Sequence, residues 1–338
     1  MASVVDVLIV SLGSTGGLRS AEDELLESLR RAGAIAAIAR PEPPVPVRTL
    51  MLTDLSWARA ARRAARAELA RTRAHALIYS TVTAALLWPR PGAIRFDAPA
   101  AGNRPGRHGL WQRPLERRRL QEAHLLLPQS DGALLEVPAG VRGSLVHERS
   151  LVLPVPVEPS APGGQRDIAA ITYAANPAKK GLDTVLDAWR QAHRPGEELF
   201  VAGVQENELR RLGYALPAAG VRVTGMLAPE DYRALLRRAR AYVCAVRRED
   251  YGIAQLEALA DGCMLVTTAS PGPYAALPIA RALDDRLVGG DLVAALRTAL
   301  DDPLPGYAER ALDALAPFRR AAADRLVAEQ LLPRLLRG

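Results

Sequence analysis

At 338 residues, 49% of them apolar, the chain is long enough for two domains, each with its own buried core. No apolar run approaches the roughly 18 residues of a membrane span, and the first residues lack the basic, apolar and cleavage-site series of a secretory signal, so a soluble, cytoplasmic protein is expected. The net charge of +7 falls entirely in residues 1–150, which hold 21 arginines and 14 acidic residues against 23 basic and 23 acidic residues in the remainder.

In chain order, the run Val-Val-Asp-Val-Leu-Ile-Val predicts a buried strand over 4–10, followed by the loop Gly13-Ser14-Thr15-Gly16-Gly17 and a helix carrying Leu25, Leu26 and Leu29 to a stop at Gly33. An arginine-rich helix is predicted over 56–75, then strands over 76–80 and 93–97 with a short helix between them, and a further strand over 123–127. Residues 154–164 hold four prolines and two glycines, a density that breaks regular structure and marks a linker. Beyond it the alternation restarts, with strands predicted over 168–174, 198–202, 221–224, 241–246 and 264–268. Helices are predicted over 182–192, 206–212, 230–240 and 252–261. Strands separated by helices call for parallel sheets with crossover helices. The domains are therefore expected at 1–153 and 167–316, joined by a linker over 154–166, with a C-terminal helix over 317–338 (Leu326, Leu331, Leu332 and Leu335) packing back on the N-domain. Cys244 and Cys263, both in apolar stretches, suit small buried thiols better than a disulfide or a zinc site.

Three constellations stand out. Glu249-Asp250-Tyr251-Gly252-Ile253-Ala254-Gln255-Leu256-Glu257 places a carboxylate after a strand and a glycine at the start of the next helix, whose unpaired amides suit a phosphate. On that helix Ile253, Leu256 and Ala260 are expected to form the buried stripe, with Glu257 on the face of Ile253. A carboxylate there requires hydrogen-bond donors; either sugar hydroxyls supply them, or a structural arginine satisfies Glu257 and Glu249 lies in solvent. In the second constellation, Asn176-Pro177-Ala178-Lys179-Lys180-Gly181, the chain's only two lysines sit where a helix begins. They serve there either as compact charges for phosphate or as solvated first-turn residues. The third is the glycine loop, which is neither a dinucleotide fingerprint nor a P-loop; close backbone approach to a ligand and a plain tight turn both fit it.

Together these residues resemble the retaining glycosyltransferases of family 4 (glycosyl transferases group 1). The likeness is close over 168–302, through Lys180-Gly181, Val201-Ala202-Gly203, Val223-Thr224-Gly225 and Glu249 to Glu257 continuing as Ala258-Leu259-Ala260-Asp261-Gly262, and looser over 1–150. The resemblance implies an α/β protein of the GT-B fold, two Rossmann-like domains with parallel sheets facing across a cleft. It implies that Lys180, with Lys179 beside it, binds the diphosphate of a nucleotide-sugar donor, that Glu249 contacts the sugar, that Glu257 contacts the ribose, and that amides near Tyr251, Gly252 and Ile253 cap the phosphates. Gly16 and Gly17 join this donor set from the N-domain. The sequence departs from the family in three places. Ala174-Ala175 replaces the usual Gly-Arg, Ser270-Pro271-Gly272-Pro273 replaces a glycine-rich loop, and Asp97 stands where a histidine is common. Asp97 is accordingly expected to face the reacting centre, with Glu249 and Lys180 as the other catalytic groups.

The basic surface is read as Arg59, Arg62, Arg63 and Arg66 with His108, Arg117, Arg118 and Arg119. It is either a solvated, solubilising face or a site for an anionic acceptor or an anionic membrane surface; with 4% aromatic residues and no recognised module, nucleic acid is not expected. The five histidines show no metal spacing and there is no Asp-x-Asp, so neither a metal nor another cofactor is expected. The expected activity is a metal-independent, hexosyltransferase-type transfer with retention, in the cytoplasm or peripherally at the inner membrane face. A GT-B epimerase or phosphorylase, or a binding protein that has lost catalysis, is the alternative.

Overall fold

The computed structural model describes residues 3–337 except 48, 105, 142, 144, 145, 147, 217 and 218; His147 therefore lies outside the described residues. The chain divides into two compact units, one of Met1–Pro156 with Pro317–Gly338 and one of Val157–Ala316.

Unit one is built on the parallel sheet β2-β1-β3-β4-β5, with β1 Ser3–Val10, β2 Ala36–Ala39, β3 Thr72–Tyr79, β4 Ala93–Phe96 and β5 Leu126–Pro128. The central strand β1 is covered on both sides, so Val7, Leu8, Ile9 and Val10 are all fully buried, and alternate residues feed two separate cores. Leu8 and Val10 pack in one core with Ala58, Ala61 and Ala65 of the helix Leu50–Arg71, alanines that let the helix lie close to the sheet. Val7 and Ile9 pack in the other with Leu25, Leu26 and Leu29 of the helix Gly16–Arg31, and with Val327, Leu331, Leu332 and Leu335 of the C-terminal segment. The helix Gly16–Arg31 starts at Thr15, whose hydroxyl accepts from the Leu18 amide.

Local differences from the sequence reading have simple causes. The alanine-rich edge strand β2 carries too little β-branched residue to announce itself. The basic helix begins at Leu50 and gives way to β3 at Thr72 with no intervening loop, so Arg73 and His75 lie on the exposed side of a strand and not on a helix. Residues 149–153, for which no element is predicted, extend the sheet beyond β5, through Leu126 N to Arg149 O (2.8 Å), Leu151 N to Leu126 O (2.9 Å) and Leu153 N to Pro128 O (2.8 Å).

Unit two repeats the plan with β6 Ile168–Tyr173, β7 Leu199–Ala202, β8 Val221–Gly225, β9 Ala239–Cys244 and β10 Met264–Thr267, in the order β10-β9-β6-β7-β8. All pairings are parallel. In unit one the strand order reverses between β1 and β3, in unit two between β6 and β9. Open α/β sheets bind ligands beyond the carboxyl ends of the strands at such reversals. That rule points to the loops after β1 and β3 in one unit, and to those after β6 and β9 in the other.

Candidate functional site

The loop after β6 is shaped by its capping. Asn176 accepts the Lys179 amide at 3.0 Å, Pro177 opens a single helical turn, and Gly181 closes it in the left-handed region at φ 64°. Gly181 has no substitute. A Cβ there would lie 1.9 Å from the Ala245 carbonyl oxygen, just past the end of β9. This close crossing, with Arg247 N donating to Lys179 O at 3.2 Å, carries Lys180 to the loop after β9. There Lys180 Nζ donates to Glu249 Oε2 at 2.8 Å.

Glu249 is buried, and a buried carboxylate needs its charge answered. Besides Lys180, Gln255 Nε2 donates to the same oxygen at 2.9 Å; Oε1 takes no hydrogen bond from the described residues. The backbone around Glu249 is clamped: its amide donates to Pro271 O at 3.1 Å, and Gly272, at φ 110°, would bring a Cβ to 2.2 Å from Glu249 O. Gly252 caps the helix Ile253–Ala260 at φ 91° with the Tyr274 ring 3.0 Å from where its Cβ would be. Tyr251 is buried, and its carbonyl accepts the Ala275 amide at 3.0 Å.

Below Gln255 lies a buried polar network. Cys244 donates to Thr267 Oγ1 at 3.3 Å and the Thr267 and Tyr274 hydroxyls are 3.0 Å apart; burial raises the Cys244 thiol above its usual range. Gln255 Oε1 is buried without a hydrogen-bond partner.

On the helix Ile253–Ala260, the structure corrects the expected stripe. Every residue is buried except Ile253 and Glu257, which share the more open face one turn apart. Glu257 has Arg233 Nη1 at 3.6 Å. The short bonds of Arg233 go instead to Asp261 Oδ2 and to Glu158 O, so the structural arginine reaches Glu257 only weakly. Burial raises the Glu257 carboxyl above the ordinary carboxylate range, with Arg233 opposing. Lys179 does not join Lys180: it is half-exposed and lies 3.7 Å from Asp250 Oδ2, while Arg248 Nε donates to Asp250 Oδ1 at 2.9 Å.

In unit one the glycine loop is braced from within. Glu22, fully buried on the helix Gly16–Arg31, accepts Leu12 N at 3.0 Å and Gly13 N at 3.2 Å on one oxygen and the Ser11 hydroxyl on the other. Ser80, just past β3, accepts Leu12 N at 2.9 Å. Gly16 and Gly17 lie exposed in the first helical turn with nothing within 4 Å of either Cβ position, so nothing inside the protein requires glycine there. Asp97 is half-buried at the end of β4, its Oδ1 accepting Ala98 N at 2.8 Å.

The basic residues separate into two kinds. Arg59, Arg63 and Arg66 are exposed and Arg62 half-buried on the helix Leu50–Arg71, all without ion pairs among the described residues; His108 is exposed in the turn Gly106–Gly109. Arg118 and Arg119 are engaged internally. Both pair with Glu122, and Arg119 also donates to Leu86 O and lies over the Trp88 ring. Of that trio only Arg117 stands exposed without an ion pair among the described residues. By unit the charge asymmetry sharpens: unit one holds 26 arginines against 16 acidic residues, unit two 18 basic against 21 acidic. Among the described residues no helix is long and apolar enough to cross a membrane, and no three His, Cys, Asp or Glu side chains are grouped to hold a metal ion.

Sequence reading assigned no role to Gln255 or Glu22. The one signal for Gln255 was a lone amide in the apolar run Ile-Ala-Gln-Leu; for Glu22, a carboxylate one helical turn beyond the glycine loop.

Two parallel, doubly wound units of this kind define the GT-B glycosyltransferase fold. The likeness extends over whole chains: WaaG, a glycosyltransferase involved in lipopolysaccharide biosynthesis, aligns over 99% of this chain and 100% of its own at TM-score 0.69 and 16% identity. Anabaena Alr3699/HepE, in complex with UDP and glucose, aligns over 98% and 99% at 0.66 and 12%. Sucrose-phosphate synthase from Thermosynechococcus elongatus aligns over 100% of both chains at 0.66 and 16%. Residues 166–302, within unit two, match the family model of glycosyl transferases group 1. No curated protein sequence matches the chain at a significant level.

Proposed function

We propose that this protein transfers a hexose from a nucleoside diphosphate sugar, with retention at the anomeric carbon and without a metal, to an anionic or membrane-associated acceptor in the cytoplasm. The observation that carries the reading is Lys180 Nζ at 2.8 Å from Glu249, beyond the strand ends where the order of unit two reverses and next to the N-terminus of the helix Ile253–Ala260. A diphosphate arriving there competes with Glu249 for the lysine, and the amides at Gly252 and Ile253 add partial positive charge. Lys180 then stabilises the charge on the departing diphosphate, the task a metal performs in other transferases. Glu249 stays held by Gln255 and offers Oε1 to a sugar hydroxyl. Glu257, raised by burial, accepts the ribose hydroxyls. No side chain is assigned as a covalent nucleophile, which favours front-face transfer with the leaving phosphate taking the acceptor's proton. The UDP and glucose held by HepE support a nucleoside diphosphate donor.

Ala175, in place of the family's arginine, favours a second reading in which the donor binds without turnover. A thermal-shift screen of UDP-, GDP-, ADP- and TDP-sugars is the first test, since a ligand at 100 times its dissociation constant stabilises by about 2.7 kcal/mol. The accepted donor is then assayed for transfer to anionic acceptors in EDTA. No shift with any sugar nucleotide overturns the donor site. A shift without turnover on any acceptor selects the binding protein, and activity lost in EDTA and restored by magnesium or manganese refutes the metal-free electrostatics.

A further inference from the structure

Between β2 and the basic helix, unit one exposes apolar side chains that no core explains. Val45 is 82% exposed, Val47 40%, Leu50 43% and Leu52 48%, and Leu110 on a separate loop is 61% exposed. Scattered singly, such residues need no explanation, but a group of them does. The two segments are tied together by one buried carboxylate. Asp54, one turn into the helix Leu50–Arg71, accepts Arg104 Nε at 2.7 Å and Nη2 at 3.1 Å and also accepts the Gln112 amide. This pins the loop bearing Leu110 against the first turns that bear Leu50 and Leu52. Prolines at 41, 43, 44 and 46 keep the Val45 segment extended and out of the sheet. Exposed arginines without ion pairs among the described residues follow in the same two segments, Arg107 three residues before Leu110 and Arg59, Arg63 and Arg66 about two to four turns further along the helix; Glu42 is exposed in the proline segment.

We infer that Val45, Val47, Leu50, Leu52 and Leu110 form a tip that inserts into the interface of an anionic lipid bilayer, with the flanking arginines meeting its headgroups. Apolar side chains and cations side by side match an interface that offers acyl chain and phosphate together. A second copy of this chain is a poorer occupant, because it would bring a second surface with 26 arginines against 16 acidic residues into contact with the first. The inference deepens the membrane-associated acceptor reading, but it makes a separate claim, that part of the binding resists salt.

The test is flotation of the full chain with phosphatidylcholine vesicles, with and without phosphatidylglycerol, at about 0.1 and 1 M salt, where charges are screened over roughly 10 and 3 Å. Wild type should favour the anionic vesicles and keep measurable binding at high salt. Val45→Ser/Leu50→Ser/Leu110→Ser, checked for an unchanged melting temperature, should lose at least about tenfold in partition and all of the salt-resistant part. Arg59→Gln/Arg63→Gln/Arg66→Gln should lose only the salt-sensitive part. The indole added by Leu50→Trp should shift the variant's emission to the blue on anionic vesicles, relative to wild type, and be quenched by brominated lipid. Equal binding of the serine variant and wild type, or an added indole that responds to neither vesicle nor quencher, overturns the tip, as does a wild-type dimer in sedimentation that the serine variant abolishes. An anionic soluble acceptor used without any vesicle binding would sink the tip and leave the anionic-acceptor reading standing. Salt-resistant binding with no preference for anionic lipid would likewise overturn the assignment to an anionic bilayer.

Discussion

Replacing Lys180 with methionine separates two jobs that the structure gives one side chain. The ammonium lies 2.8 Å from a carboxylate whose side chain is 8% exposed, while the lysine is itself 22% exposed. Breaking a fully buried pair by removing one partner costs about 3–5 kcal/mol. Here Gln255 still donates to Glu249 and the lysine is partly solvated. The expected loss is therefore nearer the roughly 1.5–3 kcal/mol of a hydrogen bond to a charged group. In a unit of this size, at roughly 2–4 °C per kcal/mol, that lowers the melting temperature by about 3–12 °C. Adding Glu249→Gln removes the stranded charge, so the double variant should recover most of the loss, a coupling of at least about 1 kcal/mol in a double-mutant cycle. Affinity for the bare nucleoside diphosphate of the accepted donor should instead fall roughly tenfold or more in both backgrounds, since that loss concerns phosphate. Scanning fluorimetry reads the first effect and calorimetry the second. Strictly additive melting shifts would refute the ion pair as a coupled unit, and undiminished diphosphate affinity in Lys180→Met would refute the phosphate role.

Glu257→Gln should weaken nucleoside diphosphate binding while Glu249→Gln leaves it nearly intact and lowers turnover; identical effects on bare diphosphate would show that the two carboxylates are not divided between ribose and sugar. Gly16→Ala and Gly17→Ala meet no atom within 4 Å and should melt at or slightly above wild type, yet reduce donor affinity or turnover, and full activity in both would return the loop to a plain turn. Glu116, buried on the helix Gln112–Glu122 with both oxygens on the Ala100 amide, is pushed up by burial from 4.5 to about 7. The folded protein thus holds that proton more tightly than the unfolded chain. Its contribution to stability is complete below 4.5 and is lost as pH rises towards 7, by up to about 3 kcal/mol at 1.36 kcal/mol per unit. Glu116→Gln should remove that part of the slope between pH 4.5 and 7, and melting curves of equal slope in the two proteins would count against it.

The fold was legible where composition leaves the chain no choice. The run Val7–Val10 can be buried only as a central strand, and the Leu25, Leu26, Leu29 spacing places a helix against it. The alanine-built β2 and the direct passage from helix to strand at Thr72 were not legible, because small residues carry weak local preference and pairing with β1 and β3 supplies what they lack. In the site, the residue types were readable but their company was not. Lys180 and Glu249 are 69 positions apart, and nothing local says that they meet.

What the sequence determined by itself is the alternation of strands and helices, and with it the doubly wound class, because apolar periodicity is a local property that burial converts into architecture. What only the tertiary structure decided is pairing. The order β10-β9-β6-β7-β8 and the crossing at Gly181, where no side chain fits against Ala245, bring a lysine to a buried carboxylate. Asp54 gathers two distant loops into one apolar tip. Such contacts depend on which strand ends lie side by side, and strand order is settled by long-range packing that no window of the sequence contains.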